Sequence, residues 1–531
     1  RHLPADPEVL ARFGSNLTRR ALRGGVPLAL QRDQILKQLF DRLSRSGPRS
    51  VVLVGPSGSG KTAIIHALAK RLAEEETLVP IMVFEATTGE VLSGTRYLGE
   101  WQTRLKELTE GLRSPRRVIW FVPDVNRLVE AGTSEHSQES FATMLSPALE
   151  RGELVIVGES TPEAWRRGID RFPVFKKLFA QVTLEVPDAE QTLEIMRGVS
   201  ERVAEEFAER DLDFSLAPSV LARAQELADD YFPSQARPGN GVRLLRETCE
   251  AAAQRVLDKA PEVSGGRALQ TLKVEVGLAD LLATLSRLSG VPNHLLDDRV
   301  RLDLDEVRSF FSERVLGQEE AVEVVVDLIS MIKAGVTDPE RPSGVLFFAG
   351  PTGVGKTEMA KALAEYIFGS ARRLVRVDLG EFREPHSIRR LVGDPHAPDP
   401  AARSGLLTAA VRERPFSVVL LDEVEKAHGN VFDLLLPLLD EGRLVDELGR
   451  VTDFRRSIIV MTSNLGSDLS EGTDLGFGSS AEERQAQTAK VSRVMEKTFR
   501  PEFLNRLRST VVFQPLTREV MRRLTRREAR H

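Results

Sequence analysis

The sequence predicts an α/β protein built from two tandem phosphate-loop modules, each a parallel sheet flanked by helices, with a helical lid after the first module. Two glycine-rich loops carry this prediction: Gly55-Pro56-Ser57-Gly58-Ser59-Gly60-Lys61-Thr62 and Gly350-Pro351-Thr352-Gly353-Val354-Gly355-Lys356-Thr357. Each follows a short apolar strand and opens a helical pattern, and one loop alone could be an ordinary glycine-rich turn. Because strand, loop and helix recur together, we expect two nucleotide-binding modules.

Such a loop binds phosphate because its backbone N–H groups point at the anion, its lysine reaches the terminal phosphates and its threonine hydroxyl binds Mg²⁺. The predicted cofactors are therefore ATP and Mg²⁺. The predicted nucleotide-binding residues are Gly55, Gly58, Gly60, Lys61 and Thr62 in the first loop, and Gly350, Gly353, Gly355, Lys356 and Thr357 in the second. The predicted metal ligands are Thr62, Thr357 and Asp422.

Length and composition indicate a large intracellular protein. The 531 residues suit three or four domains of about 150 residues each. A net charge of −5 argues against nucleic acid as the main partner, and one cysteine, Cys249, leaves no disulfide framework. The sequence lacks a run of ~20 apolar residues and a signal peptide. We therefore predict a cytoplasmic protein with no membrane contact, and we expect further sequence before Arg1.

Strand and helix patterns alternate in two stretches of the chain, which predicts parallel sheets. The predicted strands are Val51–Val54, Ile81–Glu85, Val118–Val122 and Leu154–Val157, and then Val345–Ala349, Leu374–Asp378, Val418–Leu421 and Ser457–Thr462. The predicted domains are a first large subdomain (1–185), a helical small subdomain (186–300), a second large subdomain (301–515) and the start of a C-terminal lid (516–531). Residues 261–266 and 471–487 are predicted loops.

The second module has a fuller set of catalytic candidates. Asp422 and Glu423 end an apolar strand, where Asp422 can hold a water of the Mg²⁺ shell and Glu423 can polarise the attacking water. Two acids at this point are also common at a helix N-terminus. Asn464 ends another strand and can orient the same water. Arg506 is a candidate arginine finger for a neighbouring subunit's nucleotide, with a surface salt bridge as the alternative.

Several segments together resemble the Clp-type double-ring AAA+ ATPases (ClpA-, ClpB- and ClpC-like), which are hexameric protein unfoldases. The strongest segments are 314–318, 420–428, 440–444, 461–464 and 499–506, with 93–100 and 149–154 in the first module. The resemblance implies two stacked AAA+ rings, a homo-hexamer, and ATP-driven threading of protein substrates through a central pore. It also implies a role for Tyr97, which lies at the position of a pore-loop aromatic.

The chain departs from the family pattern in both modules. In the first, Pro123 and Asp124 replace an aspartate–glutamate pair, and Lys177 stands where the family has an arginine. This module is therefore predicted to bind ATP and hydrolyse it poorly, since lysine lacks the planar fork of arginine. In the second, Pro398 occupies the pore-aromatic position. We therefore expect Tyr97 to grip the substrate in the first ring, while the second ring hydrolyses most of the ATP.

Two further features concern the subtype and partners. About 60 residues separate Leu257 from Gly317, too few for the long coiled-coil insertion of the disaggregase branch. Leu475, Gly476 and Phe477 resemble the tripeptide with which peptidase-feeding members dock, so a ClpP-like peptidase is a candidate partner. The alternative is that Phe477 is a local anchor. The second module's helical lid is expected to be missing or to lie beyond His531.

The sequence thus predicts an ATP-dependent unfoldase or remodelling chaperone, with the second ring as the main ATPase. The alternative is a nucleotide-switched scaffold or signalling ATPase that does not thread substrate. Loss of the second pore aromatic favours this alternative, whereas Tyr97 and the complete catalytic set oppose it. A nucleic-acid motor is disfavoured because no aromatic and basic stacking platform is evident.

Overall fold

The protein is described by a computed structural model. It describes residues 8–23, 29, 32–43, 50–74, 81–93, 100–113, 118–131, 140–233, 235–259, 272–394, 404–446, 451–465 and 481–528. The chain divides into two compact units, Arg1–Leu281 and Leu282–His531. Each unit contains one phosphate loop.

The first unit alternates strands and helices before a mainly helical part. Its described elements are β1 (Ser15–Asn16), α1 (Leu17–Leu22), α2 (Asp33–Leu43), β2 (Val51–Val54), α3 (Lys61–Glu74), β3 (Met82–Glu85), α4 (Thr88–Leu92), α5 (Glu100–Leu112), β4 (Val118–Val122), α6 (Phe141–Glu150), β5 (Val155–Ser160), α7 (Pro162–Arg167), α8 (Pro173–Lys176), β6 (Ala180–Thr183), α9 (Ala189–Ala208), β7 (Leu212–Leu216), α10 (Pro218–Tyr231), α11 (Gly239–Lys259) and β8 (Leu272–Val276), and α12 (Leu278–Ser289) contains the boundary.

The described residues of the first unit form a six-stranded sheet in the order β1-β3-β4-β5-β2-β6. Only the β1–β3 pair of this sheet is antiparallel. All five residues of β4 are buried, as expected for a parallel strand covered by helices on both faces. Every strand predicted for this module is present, although β5 runs three residues further than predicted, to Ser160.

Residues 186–300 were predicted to be helical, and this prediction was incomplete. Helices α9, α10 and α11 pack together, but β7 and β8 pair as a small parallel sheet beside them. In β7 the residues alternate between more buried and exposed, and a five-residue alternating segment gives a weak signal beside long helices. Cys249 is fully buried on α11, and burial raises the pKa of its thiol to about 12.

The second unit repeats the strand and helix alternation. Its described elements are α13 (Asn293–Leu296), α14 (Leu304–Arg314), α15 (Glu319–Lys333), β9 (Gly344–Ala349), α16 (Lys356–Phe368), β10 (Leu374–Asp378), α17 (Ile388–Val392), α18 (Leu406–Glu413), β11 (Val418–Asp422), α19 (Gly429–Glu441), β12 (Arg443–Val445), β13 (Val451–Asp453), β14 (Ile458–Ser463), α20 (Ala481–Thr498), α21 (Pro501–Leu504), β15 (Ser509–Val512) and α22 (Arg518–Glu528).

In the described part of the second unit, five parallel strands form a sheet in the order β10-β11-β14-β9-β15. The predicted loop at 471–487 is wrong for its last seven residues, because α20 begins at Ala481. Alanine, glutamate, arginine and glutamine fill those positions, and all have high helix propensity. The rest of that predicted loop, and the predicted loop at 261–266, lie outside the described residues.

The described helices include none that is both long enough and apolar enough to cross a membrane. The four predicted domain ranges are finer than the two compact units and remain predictions.

Candidate nucleotide-binding sites

The second phosphate loop joins β9 to α16 at the carboxyl edge of the parallel sheet. Gly350, Gly353 and Gly355 have φ values of +139°, +80° and +108°. Side-chain-bearing residues rarely adopt this backbone, so glycine is required for the path of the loop. A Cβ on Gly353 would meet no described atom within 4 Å. The loop therefore has open space beside its backbone, as a phosphate cradle needs.

Lys356 opens α16 and is only 7% exposed. Its Nζ donates to the carbonyl oxygens of Gly350 and Pro351 and, at 2.9 Å, to Oδ1 of Asn464. Burial lowers the pKa of Lys356 to about 8, and the nearby carboxylates of Asp422, Glu425 and Glu423 oppose that shift. The ammonium is thus held inside the loop by acceptors that an anionic phosphate can replace.

Asp422 ends β11 and is 9% exposed. One of its oxygens accepts a short hydrogen bond from the hydroxyl of Thr462 on the adjacent strand β14. The other oxygen accepts from Arg376 of β10, with Nη2 at 2.7 Å and Nε at 3.2 Å. Three neighbouring strands therefore fix this carboxylate at the edge of the sheet beside the loop.

Glu423 has a left-handed backbone, with φ +57°. This conformation is rare for a residue with a side chain and is typical of strained functional positions. Its Oε1 accepts from Nδ2 of Asn464 at 3.1 Å, and its Oε2 accepts from Lys426 at 2.7 Å. Asn464 therefore contacts both the phosphate-loop lysine and the proposed catalytic glutamate.

Gln318 connects the loop to the residues that follow β15, the edge strand next to β9. It is 3% exposed, and its amide nitrogen donates to the carbonyls of Val354 (3.2 Å) and Gln514 (2.8 Å). Its Oε1 accepts from the backbone N–H of Gln514 at 2.9 Å. The side chain satisfies three backbone groups at once, so it holds the loop in position.

Arg506 bonds within its own unit. Its Nε donates to Oδ2 of Asp440 on α19, and the guanidinium also donates to the carbonyl oxygen of Glu502. About 29% of the Arg506 side chain is exposed. The salt bridge that the sequence left as an alternative is therefore present.

The first phosphate loop joins β2 to α3 with a matching lysine. Lys61 is 9% exposed and donates to the carbonyl oxygens of Gly55 (2.8 Å) and Pro56 (2.7 Å). Gly58 and Gly60 have φ values of +87° and +94°. Burial lowers the pKa of Lys61, as it does for Lys356, while the nearby carboxylate of Glu159 opposes that shift.

Thr62 contacts an acid that the sequence did not single out. Its hydroxyl lies 3.0 and 2.9 Å from the two carboxylate oxygens of Glu159 on β5. Burial raises the pKa of Glu159, and the hydrogen bond from Thr62 and the charge of Lys61 act in the opposite direction. An acid near the end of an otherwise apolar strand was the signal available in the sequence.

Three positions of the first module were predicted to be degenerate, namely Pro123, Asp124 and Lys177, and Pro123 directly follows β4. Asp124 accepts from the backbone N–H of Thr88 at 3.1 Å and makes a short hydrogen bond to the Thr88 hydroxyl. Thr161, which was not predicted, follows β5 as Asn464 follows β14, and it caps α7 by accepting from the N–H of Ala164 at 3.2 Å. Lys177 is exposed just after α8. Thr88 thus engages the Asp124 carboxylate, and the first turn of α7 engages the Thr161 hydroxyl.

Both loops fit a Mg²⁺-bound nucleotide. Each combines glycines at positive φ, a buried lysine and a threonine hydroxyl, and carboxylate oxygens lie nearby. Hydroxyl and carboxylate oxygens are the hard ligands that Mg²⁺ prefers, alongside the phosphates themselves.

Some predicted residues lie outside the described part of the chain, namely Tyr97, Pro398, Leu475, Gly476 and Phe477. Conversely, Arg376, Glu159 and Lys426 were missed. Arg376 and Glu159 act across strands, and pairing between strands cannot be read from one sequence. Lys426 could have been found from its position three residues after Glu423.

Two family profiles match the chain. The one described as "AAA ATPase domain" matches residues 29–290, and the one described as "AAA domain (Cdc48 subfamily)" matches residues 341–510. Each match contains one phosphate loop, so the comparison supports two modules of the same general kind.

Similar proteins match across nearly the whole chain. The "ATP-dependent Clp protease ATP-binding subunit ClpA homolog" of Porphyra purpurea is 33% identical, covering 97% of this chain and 69% of the relative. "Chaperone protein ClpB" of Oceanobacillus iheyensis is 34% identical, covering 98% and 70%. A solved structure of Hsp104 with ATPγS and FITC casein superposes with a TM-score of 0.70 at 27% identity, covering 99% of this chain and 87% of that one.

Proposed function

The chain belongs to the Clp-type family of AAA+ ATPases, and we propose that it is an ATP-driven protein unfoldase or remodelling chaperone powered mainly by its second module. The observation that carries the proposal is the Lys356–Asn464–Glu423 chain of hydrogen bonds. It joins the group that reaches the terminal phosphates to the group that can activate water. In the first module, Glu159 contacts Thr62, Asp124 accepts from Thr88, and Thr161 caps α7.

In the second module, Glu423 is the proposed general base and Asn464 orients the attacking water. With nucleotide bound, Lys356 would exchange its bonds to loop carbonyls for bonds to the terminal phosphates. Thr357 and Asp422 would hold Mg²⁺, which would supply charge neutralisation at the phosphates. Arg376 and Thr462 keep the Asp422 carboxylate in place, as outer hydrogen bonds do for metal-binding carboxylates.

In the first module, we propose ATP binding with poor hydrolysis. Pro123 has no carboxylate, and the carboxylate of Asp124 is held by Thr88. The Thr161 hydroxyl caps the N-terminus of α7. The loop itself retains a buried lysine and positive-φ glycines. Binding groups are thus present, whereas the groups that position water are engaged elsewhere.

Assembly into a homo-hexamer would bring Arg506 to a neighbouring nucleotide. For the guanidinium to turn toward a neighbouring phosphate, its bonds to Asp440 and to the carbonyl oxygen of Glu502 would have to open. Partial exposure of both side chains keeps the cost of opening small.

Substrate grip by Tyr97 and docking of a ClpP-like peptidase through Leu475, Gly476 and Phe477 remain proposals from the sequence. A pull-down with the peptidase ring from the same organism tests docking. Binding should require ATP and be lost in Phe477→Ala. Binding that ignores this change would indicate a chaperone that docks elsewhere.

Unfolding of a tagged, folded fluorescent protein tests the function as a whole. With ATP, the fluorescence should fall, and Glu423→Gln should abolish the loss. ATP turnover without loss of fluorescence, over a panel of degradation tags, would instead support the nucleotide-switched scaffold.

A further inference from the structure

The two modules order their strands identically around the phosphate loop. From the outer strand inward, β3-β4-β5-β2-β6 in the first module matches β10-β11-β14-β9-β15 in the second. The loop strands β2 and β9 occupy the same place in each sheet. Equivalent residues can therefore be assigned from strand register, independently of sequence alignment.

Register places Glu159 where the second module has Thr462. Glu159 pairs with Leu53, and Thr462 pairs with Phe348. Leu53 and Phe348 each lie two residues before the first glycine of their loop. The following residue of β5 and of β14 accepts a backbone hydrogen bond from that glycine in both modules, at 3.1 and 3.2 Å.

The same register places Pro123 where the second module has Asp422. Val122 pairs with Gly158, and Leu421 pairs with Met461. Pro123 and Asp422 each come one residue later. Compared with the second module, the first module lacks a carboxylate directly after β4 and has one, that of Glu159, on the adjacent strand β5.

The carboxylate of Glu159 lies against Thr62, the threonine of the first loop. In the second module, the hydroxyl of Thr462 donates to Asp422. In the first, Glu159 presents both oxygens to the Thr62 hydroxyl at 3.0 and 2.9 Å. The side chain of glutamate is long enough to span from β5 to the start of α3, next to Lys61.

We propose that Glu159 supplies the acidic ligand for Mg²⁺–nucleotide in the first module, directly or through a water, in place of the carboxylate absent at Pro123. This inference rests on nucleotide binding by the first module, as proposed above. Other nearby acids are engaged elsewhere: Asp124 is bound to Thr88, and Glu85 pairs with Arg20 at 2.8 Å.

The test separates this role from a purely structural one, because Glu159→Gln keeps an oxygen that can accept from Thr62 but removes the charge. The full chain would carry Lys356→Ala to silence the second site. Binding of a fluorescent ATP analogue would be titrated with Mg²⁺ and with EDTA, and Mn²⁺ bound together with ATP would be counted by electron paramagnetic resonance. Glu163→Gln, an exposed acid on α7, is the matched control.

With Lys356→Ala alone, we expect Mg²⁺ to tighten nucleotide binding. Adding Glu159→Gln should reduce that Mg²⁺-dependent gain about tenfold or more, leave binding in EDTA as tight or tighter, and lower Mn²⁺ occupancy. Glu163→Gln should change none of these three quantities. The double change Pro123→Asp with Glu159→Thr, which recreates the second module's pair, should restore the gain.

An unchanged Mg²⁺-dependent gain in folded Glu159→Gln would overturn the inference and leave ATP binding by the first module intact. Tighter nucleotide binding by Glu159→Gln in the presence of Mg²⁺ would also overturn the inference, because it would show that the Glu159 carboxylate repels the nucleotide. No nucleotide binding by the folded Lys356→Ala chain would overturn the proposed role of the first module and this inference with it.

Discussion

The side-chain oxygen of Asn464 accepts a 2.9 Å hydrogen bond from the ammonium of Lys356. Lys356 begins α16 and Asn464 follows β14, so the bond connects the ends of elements over a hundred residues apart in the chain. The same amide donates to Glu423. A phosphate that displaces Asn464 from Lys356 would therefore also change the hydrogen bond between Asn464 and Glu423.

Replacing Asn464 with alanine should lower kcat for ATP hydrolysis more than it changes KM. The interaction with the attacking water is made in the transition state, and loss of one such group costs about 10²-fold. Steady-state ATPase assays measure both constants. A rise in KM with unchanged kcat would assign Asn464 to ground-state binding instead.

Glu423→Gln should remove most ATP turnover while ATP binding persists, since loss of a general base costs about 10²-fold or more. Turnover and binding of a fluorescent ATP analogue would be measured on the same preparation. Glu413→Gln, an exposed acid at the end of α18, is the control. Retention of more than about half the turnover would contradict assignment of the motor to the second module.

Arg506→Ala should reduce turnover by about 10³-fold if the arginine acts on a neighbouring subunit's nucleotide. Asp440→Asn should keep turnover, because it weakens only the pairs of Asp440 with Arg506 and, at 3.9 Å, with Arg341. Mixing Arg506→Ala with Glu423→Gln subunits should recover activity at interfaces where intact Arg506 faces intact Glu423. Full turnover by the assembled Arg506→Ala protein would show that the salt bridge is its whole role.

Tyr97→Ala should stop processing of a folded substrate while ATPase and assembly persist, since Tyr97 is the predicted pore aromatic. Pro398→Ala should have little effect. Fluorescence loss from a tagged substrate measures processing, and size-exclusion chromatography measures assembly. Equal processing by Tyr97→Ala and the unmodified chain would contradict threading by this residue.

Acid should destabilise the first unit through His66 on α3. The residue is 6% exposed, and neither imidazole nitrogen has a hydrogen-bond partner in the part of the chain that the structure describes. Burial, and to a smaller extent the charge of Arg20, lower the pKa of His66 to about 4. The unfolded chain therefore takes up a proton as pH falls from about 6.5, and the folded chain does not until about pH 4.

The resulting loss of unfolding free energy between about pH 7 and pH 5 is at most about 2 kcal/mol. His66→Leu should reduce the drop in Tm over this range, whereas His386→Leu should not, because the side chain of His386 is 79% exposed. Thermal unfolding followed by circular dichroism checks both. An equal pH dependence in His66→Leu and the unmodified chain would contradict the prediction.

Local patterns were sufficient to predict most of the large sheets. Val118–Val122 and Leu374–Asp378 have the predicted bounds, since apolar runs ended by turn residues specify buried parallel strands. The phosphate loops were predicted because their glycines and lysines act on adjacent backbone. The short strand Leu212–Leu216 was missed, because its partner lies beyond a whole helical pair.

By itself, the sequence determined the two modules, their loops and the family to which the chain belongs, because these depend on contiguous residues. Only the tertiary structure decided which side chains meet: Arg376 with Asp422, Asn464 with both Lys356 and Glu423, and Glu159 with Thr62. These contacts cross between strands, and strand order and register set them. Register depends on which face of each strand is buried and on the strand it pairs with, and these partners lie far apart in the sequence.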